Sequence, residues 1–294
     1  MPIVRKTIDI QEFDPSSLAS DSVVVIIGHR GVGKSNLVRD LLWWHRSTPI
    51  GCVMSGTEKY KPFFSKLVPP NLIKHGYDPD MLVNVQNRQK TKLNKKRRDE
   101  DTVGYSNVDA RCFLVLDDIM ASGALRKEQG IRELFLNGRH MELLVLITMQ
   151  YVMGVPPEYR GNVDYTFLFN EELPANRKRL FENYASAAVP SMDVFNYLMD
   201  SIAQKYTCLV IDNRTKSNRI EDRVFYYTAN RDHPPFRTCS DAIWAWCKEN
   251  PQPPDSEEDD EDDEDEASLA NLAKKRGNSK KDQIVVNVRK VKRT

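Results

Sequence analysis

Residues 23–42, VVVIIGHRGVGKSNLVRDLL, limit what this chain can fold into more than any other stretch. Val23 to Ile27 is a short apolar, β-branched run, the composition of a buried strand. Gly28 to Ser35 fits G-x-x-x-x-G-K-[ST], with Gly28, Gly33, Lys34 and Ser35 at the fixed positions. Leu37, Leu41 and Leu42 then recur at helical spacing. A chance glycine-rich turn would lack the strand before it and the helix after it.

These residue types suit a triphosphate. Backbone N–H groups curled into a concave loop at a helix N-terminus surround dense negative charge. Gly28, Gly31 and Gly33 let the backbone turn and approach phosphate oxygens. The expected nucleotide-binding set is Gly28, His29, Arg30, Gly31, Val32, Gly33, Lys34, Ser35 and Asn36. Within it Lys34 reaches the β- and γ-phosphates of ATP, and the Ser35 hydroxyl ligates Mg²⁺.

A second acidic site is needed, and residues 112–118, CFLVLDD, supply it. An apolar run ending in two aspartates suits a central parallel strand, whose C-terminal end is where ligands bind in open α/β sheets. Asp117 is the candidate for holding Mg²⁺, and Asp118 for the general base that polarises the attacking water. The bland alternative is a pair of helix N-cap residues. Gln150, at the end of the buried run LLVLITM, is the candidate γ-phosphate sensor, against a role in satisfying backbone groups. Arg30, Arg139 and Arg160 could each supply charge to the transition state. Arg139 is favoured, as a finger reaching a neighbouring subunit. His140 beside it reads as a surface or packing residue.

Coarser features set the organisation. Residues 1–20 read as a lead-in with an edge strand at Pro2–Ile10, 21–250 as the NTPase domain, and 251–294 as a tail. Further strands are expected at 50–54, 143–149 and 164–169, with a hairpin from 206–211 and 223–228. Helices are expected near 122–137, 174–187, 190–204 and 240–249, and segment 60–98 reads as helix and loop. The fold class is α/β, a central mostly parallel sheet flanked by helices. In the tail, 255–266 holds 11 acids in 12 positions, which cannot bury itself and reads as disordered. A basic stretch follows. The five cysteines form no C-x-x-C and read as small buried hydrophobes. Neither a signal-peptide core nor a membrane-spanning apolar run is evident, so the expectation is a soluble intracellular protein. The run Arg88 to Arg98 carries seven bases and no acid. It reads either as a DNA-backbone contact or as a solvated loop, and it carries no aromatic residue for stacking on single strands.

Taken together, GHRGVGKS, FLVLDD, NGRH and TMQYVMGVPPEYRGNVDYTF, in this order and spacing, resemble the virion DNA-packaging ATPases of nucleocytoplasmic large DNA viruses. That family belongs to the FtsK–HerA group of P-loop ATPases, and the resemblance covers about residues 20–230. It implies a RecA-like core with an extra strand between the two Walker strands. It also implies a homo-oligomeric ring, of five or six subunits, that drives double-stranded DNA into a preformed capsid, with a capsid component as a further partner. The implied location is the viral factory in host cytoplasm, or the virion. By position, Lys34 and Ser35 match the family's Walker A pair, Asp117 and Asp118 its Walker B acids, and Gln150 its sensor. Arg139 matches the arginine of NGRH. The acidic–basic tail and the dense basic run depart from the family pattern. Two rival readings are another P-loop NTPase, such as a nucleotide kinase, and a DNA- or capsid-binding protein with a structural nucleotide site. A GTPase would want N-K-x-D, which is missing.

Overall fold

A computed structural model of the chain describes residues 5–119, 128–251 and 285–291. Its strands are β1 (Arg5–Glu12), β2 (Val23–Ile27), β3 (Gly51–Ser55), β4 (Ile73–Lys74), β5 (Cys112–Asp117), β6 (Leu143–Met149), β7 (Tyr165–Phe169), β8 (Thr207–Asp212), β9 (Val224–Thr228) and β10 (Val285–Val291). They form one ten-stranded sheet in the order β10-β1-β9-β8-β7-β2-β6-β5-β3-β4. Only the pairings of β8, with β7 and with β9, are antiparallel. The helices are α1 (Lys34–Trp44), α2 (Pro79–Val103), α3 (Gln129–Asn137), α4 (Pro157–Arg160), α5 (Pro174–Leu180), α6 (Met192–Ser201) and α7 (Asp241–Glu249).

Burial on both faces explains the continuous apolar runs of the central strands. Val24 and Ile26 of β2 point to one face, where they meet Leu37, Val38 and Leu41 of α1. Val23, Val25 and Ile27 point to the other, sharing a cluster with Ile131 and Leu134 of α3 and Phe195 of α6. Strand β6 pairs with β2 on one side and β5 on the other. It is therefore the extra strand expected between the phosphate-loop strand and the acidic strand. The α/β, RecA-like P-loop NTPase fold is what the chain adopts.

The structure differs from the expectations at four places. Strand β1 is not at an edge, because β10 pairs with it in parallel from Arg5 opposite Val285 to Gln11 opposite Val291. One piece of the expected disordered tail is thus ordered as a strand; its four valines give it β character that its bases disguise. The acidic run 255–266 lies outside the described residues. The basic run 88–98 belongs to the 25-residue helix α2 and is not a loop. Between α5 and α6, Phe181–Ala185 forms a π-helical turn. The helix expected from Ser122 is described only from Gln129, since 120–127 fall outside the described residues.

Cys52, Cys112, Cys208 and Cys247 are buried and Cys239 half-buried, all as free thiols. Among the described residues no helix is long and apolar enough to cross a membrane.

Candidate functional site

Parallel pairing brings the C-terminal ends of β7, β2, β6, β5 and β3 to one edge of the sheet. The register sets Ser55 beside Asp117, Asp117 beside Thr148, and Thr148 beside Ile26. The next residue after Ile27 is Gly28, so the loop rises directly from this edge. Its first amide, Gly28 N–H, donates to the Met149 carbonyl of β6 at 3.2 Å.

The loop is shaped by close contacts. A Cβ at Gly28 would lie 2.7 Å from Phe169 Cβ. Gly33 has φ +113°, and a Cβ there would lie 2.4 Å from Cδ1 of Tyr206. No side chain fits at either position without displacing a neighbour. Gly33 also caps the N-terminus of α1, so Lys34, Ser35 and Asn36 begin the helix with their amides unpaired within it. Lys34 is buried, and its ammonium donates to the carbonyls of Gly28 (2.8 Å) and His29 (3.1 Å). Burial lowers its pKa, opposed by the charges of Asp118 and Asp117.

Asp117 is also buried. Two hydroxyls meet its carboxylate, Ser55 Oγ at 3.0 Å and Thr148 Oγ1 at 2.7 Å. Burial raises its pKa, while those donors and Lys34 pull it down. Asp118 leaves the strand with φ 60°, a left-handed conformation uncommon outside glycine. Its N–H donates to Thr148 Oγ1 at 3.1 Å, and its carboxylate accepts from the Gln150 side-chain amide. Asp118 and Gln150, proposed from separate strands, therefore touch. Ser55 and Thr148 are hydroxyl partners of Asp117 that sequence reasoning missed; the signal was a lone hydroxyl near the end of each otherwise apolar strand.

On the other side of the loop lies an open cavity of about 590 Å³, lined by His29 to Val32, Phe169 to Leu173, Ala203 to Lys205 and Thr207. His29 pairs with buried Glu171 at 3.0 Å, and Arg30 is exposed on the cavity wall. The loop thus stands between an acidic pair and a roomy cavity, an arrangement that fits the phosphates and the nucleoside of one nucleotide.

The remaining candidates lie elsewhere. Arg139 sits on a 3-10 turn just before β6, at the opposite edge of the sheet, and pairs with buried Asp164. The length of β6, at ~3.3 Å per residue, separates it from Gln150 by roughly 20 Å. It cannot serve the loop of its own chain. Arg160 donates to the Val155 carbonyl (3.0 Å) and to Asn183 (2.5 Å), so it holds the β6–β7 connection together. His140 is exposed.

The donor set fits Mg²⁺. Ser35 offers a hydroxyl and Asp117 a carboxylate, oxygen ligands suited to a hard cation that keeps water and substrate phosphates in its shell.

Fold and loop define the class as a P-loop NTPase with an added strand between the loop strand and the acidic strand. No protein-family profile matches the chain. Among curated proteins it is similar to an uncharacterized protein of Acanthamoeba polyphaga mimivirus, 32% identical over 75% of this chain and 77% of that protein. It is similar to an uncharacterized protein of Invertebrate iridescent virus 3, 37% identical over 71% of this chain and 76% of that protein. A third relative, from Invertebrate iridescent virus 6, is 33% identical over 73% of this chain and 80% of that protein. Among solved structures it is similar to the DNA-packaging ATPase from Sulfolobus Turreted Icosahedral Virus, at 18% identity and TM-score 0.48 over 74% of this chain and all of that one. That last likeness is too slight to carry a functional argument. The chain belongs to one family with these mimivirus and iridescent-virus proteins.

Proposed function

We propose that this protein is an ATP-driven motor that moves double-stranded DNA into the viral capsid. The single observation that carries the reading is the convergence at one sheet edge. Lys34 on the loop, Asp117 at the end of β5 with Asp118 after it, and Gln150 after β6 come together there from separate stretches of sequence.

Lys34 takes the β- and γ-phosphates, exchanging its two loop carbonyls for phosphate oxygens. Ser35 and Asp117 would hold Mg²⁺, which neutralises charge on the phosphates when bound. Asp118 accepts a proton from the attacking water. Gln150, already bonded to Asp118, orients that water and senses the γ-phosphate. The cavity lined by His29 to Val32 and Ala203 to Lys205 receives the nucleoside. Arg139, too far from its own loop, acts as the finger of the next subunit in a closed ring of identical chains. Hydrolysis then shifts one subunit against its neighbour.

The test is ATP hydrolysis by the purified protein with and without double-stranded DNA, beside Lys34→Ala. Turnover that rises on DNA and falls by roughly 100-fold or more in the variant supports the motor. Turnover indifferent to DNA points to another NTPase. ATP binding without turnover in any condition points to a structural nucleotide site.

A further inference from the structure

Helix α2 is built in two halves. Asp78 caps its N-terminus by accepting from Met81 N–H at 2.8 Å, and Met81, Leu82 and Val85 bury against the sheet. Gln89 is buried, and its side-chain amide donates to the carbonyls of Ala110 (2.8 Å) and Met141 (2.6 Å). Those carbonyls stand just before β5 and β6. At Gln89 the helix has therefore reached the edge where these strands begin, opposite the phosphate loop. The remaining turns, to Val103, run along and past this edge for about 21 Å at ~1.5 Å per residue.

The bases in this half are sorted by face. Leu82, Gln86, Gln89, Leu93 and Lys96 recur at spacings of four and three, the stripe that meets the body. On that stripe Lys96 is tied to Glu142 at 2.6 Å. Arg88, at the stripe's flank, donates to the Ala110 carbonyl at 3.3 Å. Lys90, Lys92, Lys95, Arg97 and Arg98 lie off the stripe, and all five are exposed. None of the five forms a salt bridge with a described residue. Asp99, Glu100 and Asp101 follow within reach of an i,i+4 pairing, yet Asp99 instead accepts from Ser106 at 2.9 Å. The five charges thus form no close ion pair among the described residues, and none lies in the helix's C-terminal turn, where the helix dipole would favour it.

We infer that the outer face of α2, from Lys90 to Arg98, is a binding surface for the phosphate backbone of duplex DNA. This rests on the reading of the protein as a DNA-moving ATPase. The surface is a rigid helix presenting five flexible cationic side chains over about 12 Å. It carries no aromatic side chain on which an unpaired base would stack, which favours duplex over single strand. Lysine and arginine without base-reading partners give sequence-independent contact, as a translocating chain requires. The surface also stands at the far edge of the sheet from the hydrolysis site, on the helix that leads into acidic strand β5.

The experiment is fluorescence anisotropy of the full chain on a fluorescein-labelled duplex of mixed sequence, between about 50 and 200 mM salt. Variants are the triple substitution Lys90→Gln, Lys95→Gln, Arg98→Gln; the charge-keeping swap Lys90→Arg, Lys95→Arg, Arg98→Lys; and Lys96→Gln on the body face. The triple variant is expected to lose affinity by roughly tenfold or more and to lower the slope of log affinity against log salt by about 3. The swap and Lys96→Gln bind like the wild type, and DNA-free ATP turnover persists in all three. Equal binding by the triple variant and the wild type overturns the inference and leaves the motor reading standing. The face would then belong to another occupant, such as a second copy or the chain's own acidic run. A wild type that hydrolyses ATP yet binds no duplex overturns both. Tighter binding of a single strand than of the duplex overturns the choice of ligand.

Discussion

Thr148 donates its hydroxyl to Asp117 Oδ1 at 2.7 Å and, with the same oxygen, accepts the Asp118 N–H at 3.1 Å. One buried hydroxyl thus fixes both carboxylate residues. Thr148→Val keeps the shape and β-branching but strands a buried carboxylate oxygen of Asp117, while the Asp118 N–H keeps only the Thr148 backbone carbonyl at 3.3 Å. The expected cost is about 1–3 kcal/mol of stability, with a fall in ATP turnover. Thr148→Ser should restore most of both. Chemical denaturation and steady-state hydrolysis read the two effects, and unchanged turnover in Thr148→Val would remove Thr148 from the support of the site.

Gly33 meets two constraints at once, φ +113° and the ring of Tyr206 at 2.4 Å from an added Cβ. Tyr206 is itself held, with Arg231 over its ring at 4.3 Å and bonded to its hydroxyl at 3.2 Å. Gly31 has φ +86° but open space around a Cβ. Gly31→Ala should therefore cost only the backbone term, roughly 1–2 kcal/mol. Gly33→Ala should cost more and abolish nucleotide binding. Gly33→Ala with Tyr206→Ala should relieve the clash but keep the strain. Thermal unfolding of the three variants orders the costs, and equal losses for the two glycines would refute the contact argument.

Much of this site was legible in the chain. The strand before Gly28, the helix after Ser35 and the acids after Leu116 all announce themselves through apolar period and motif spacing. The resemblance also implies the one strand, β6, between the phosphate-loop strand and the acidic strand; the rest of the order does not follow from it. The tyrosine behind Gly33 was not legible, because 173 positions in the chain separate two residues that the antiparallel strand β8 brings together. Thr148 was hidden for a similar reason: a hydroxyl within LLVLITM reads as one more β-branched residue until its in-register neighbour is known to be Asp117. The basic run read as an undivided block, since only the buried stripe of α2 separates Lys96 from Lys95 and Arg97. Strand β10 was masked by its bases and by the acidic run before it.

His45 gives the protein an acid-sensitive joint. It closes α1, with its N–H donating to the carbonyls of Leu41 (3.3 Å) and Leu42 (3.2 Å), and its buried Nε2 has no hydrogen-bond partner among the described residues. Burial, with help from Arg111, lowers its pKa to about 4. In the unfolded chain an imidazole titrates near ~6.5. The folded value is depressed, so between these limits the unfolded state binds the extra proton. Stability is then full above about pH 6.5 and falls as pH drops toward about 4, by up to about 3 kcal/mol. His45→Gln should flatten that segment of the stability–pH curve relative to the wild type. Curves that stay parallel across the window would place the acid sensitivity in other groups.

Arg139 offers a test of the proposed ring. In one chain it lies across the sheet from the loop and pairs with Asp164, whose other oxygen accepts the Val23 N–H at 2.8 Å. Arg139→Ala should cost about 1–3 kcal/mol of stability, because it strands one oxygen of buried Asp164 while the other keeps its backbone donor. As a finger in trans, the same substitution should lower turnover by 10³-fold or thereabouts. Lys34→Ala chains are inactive at their own loop but still carry Arg139. Mixed in equal amounts with Arg139→Ala chains, they complete some intact sites, since an Arg139→Ala chain with a sound loop receives the arginine of a Lys34→Ala neighbour. Activity that reappears on mixing two inactive variants assigns Arg139 to the neighbour's site and requires an assembly. If the mixture stays inactive while each variant still assembles with wild type, Arg139 is a structural partner of Asp164 alone, and the finger must be sought elsewhere.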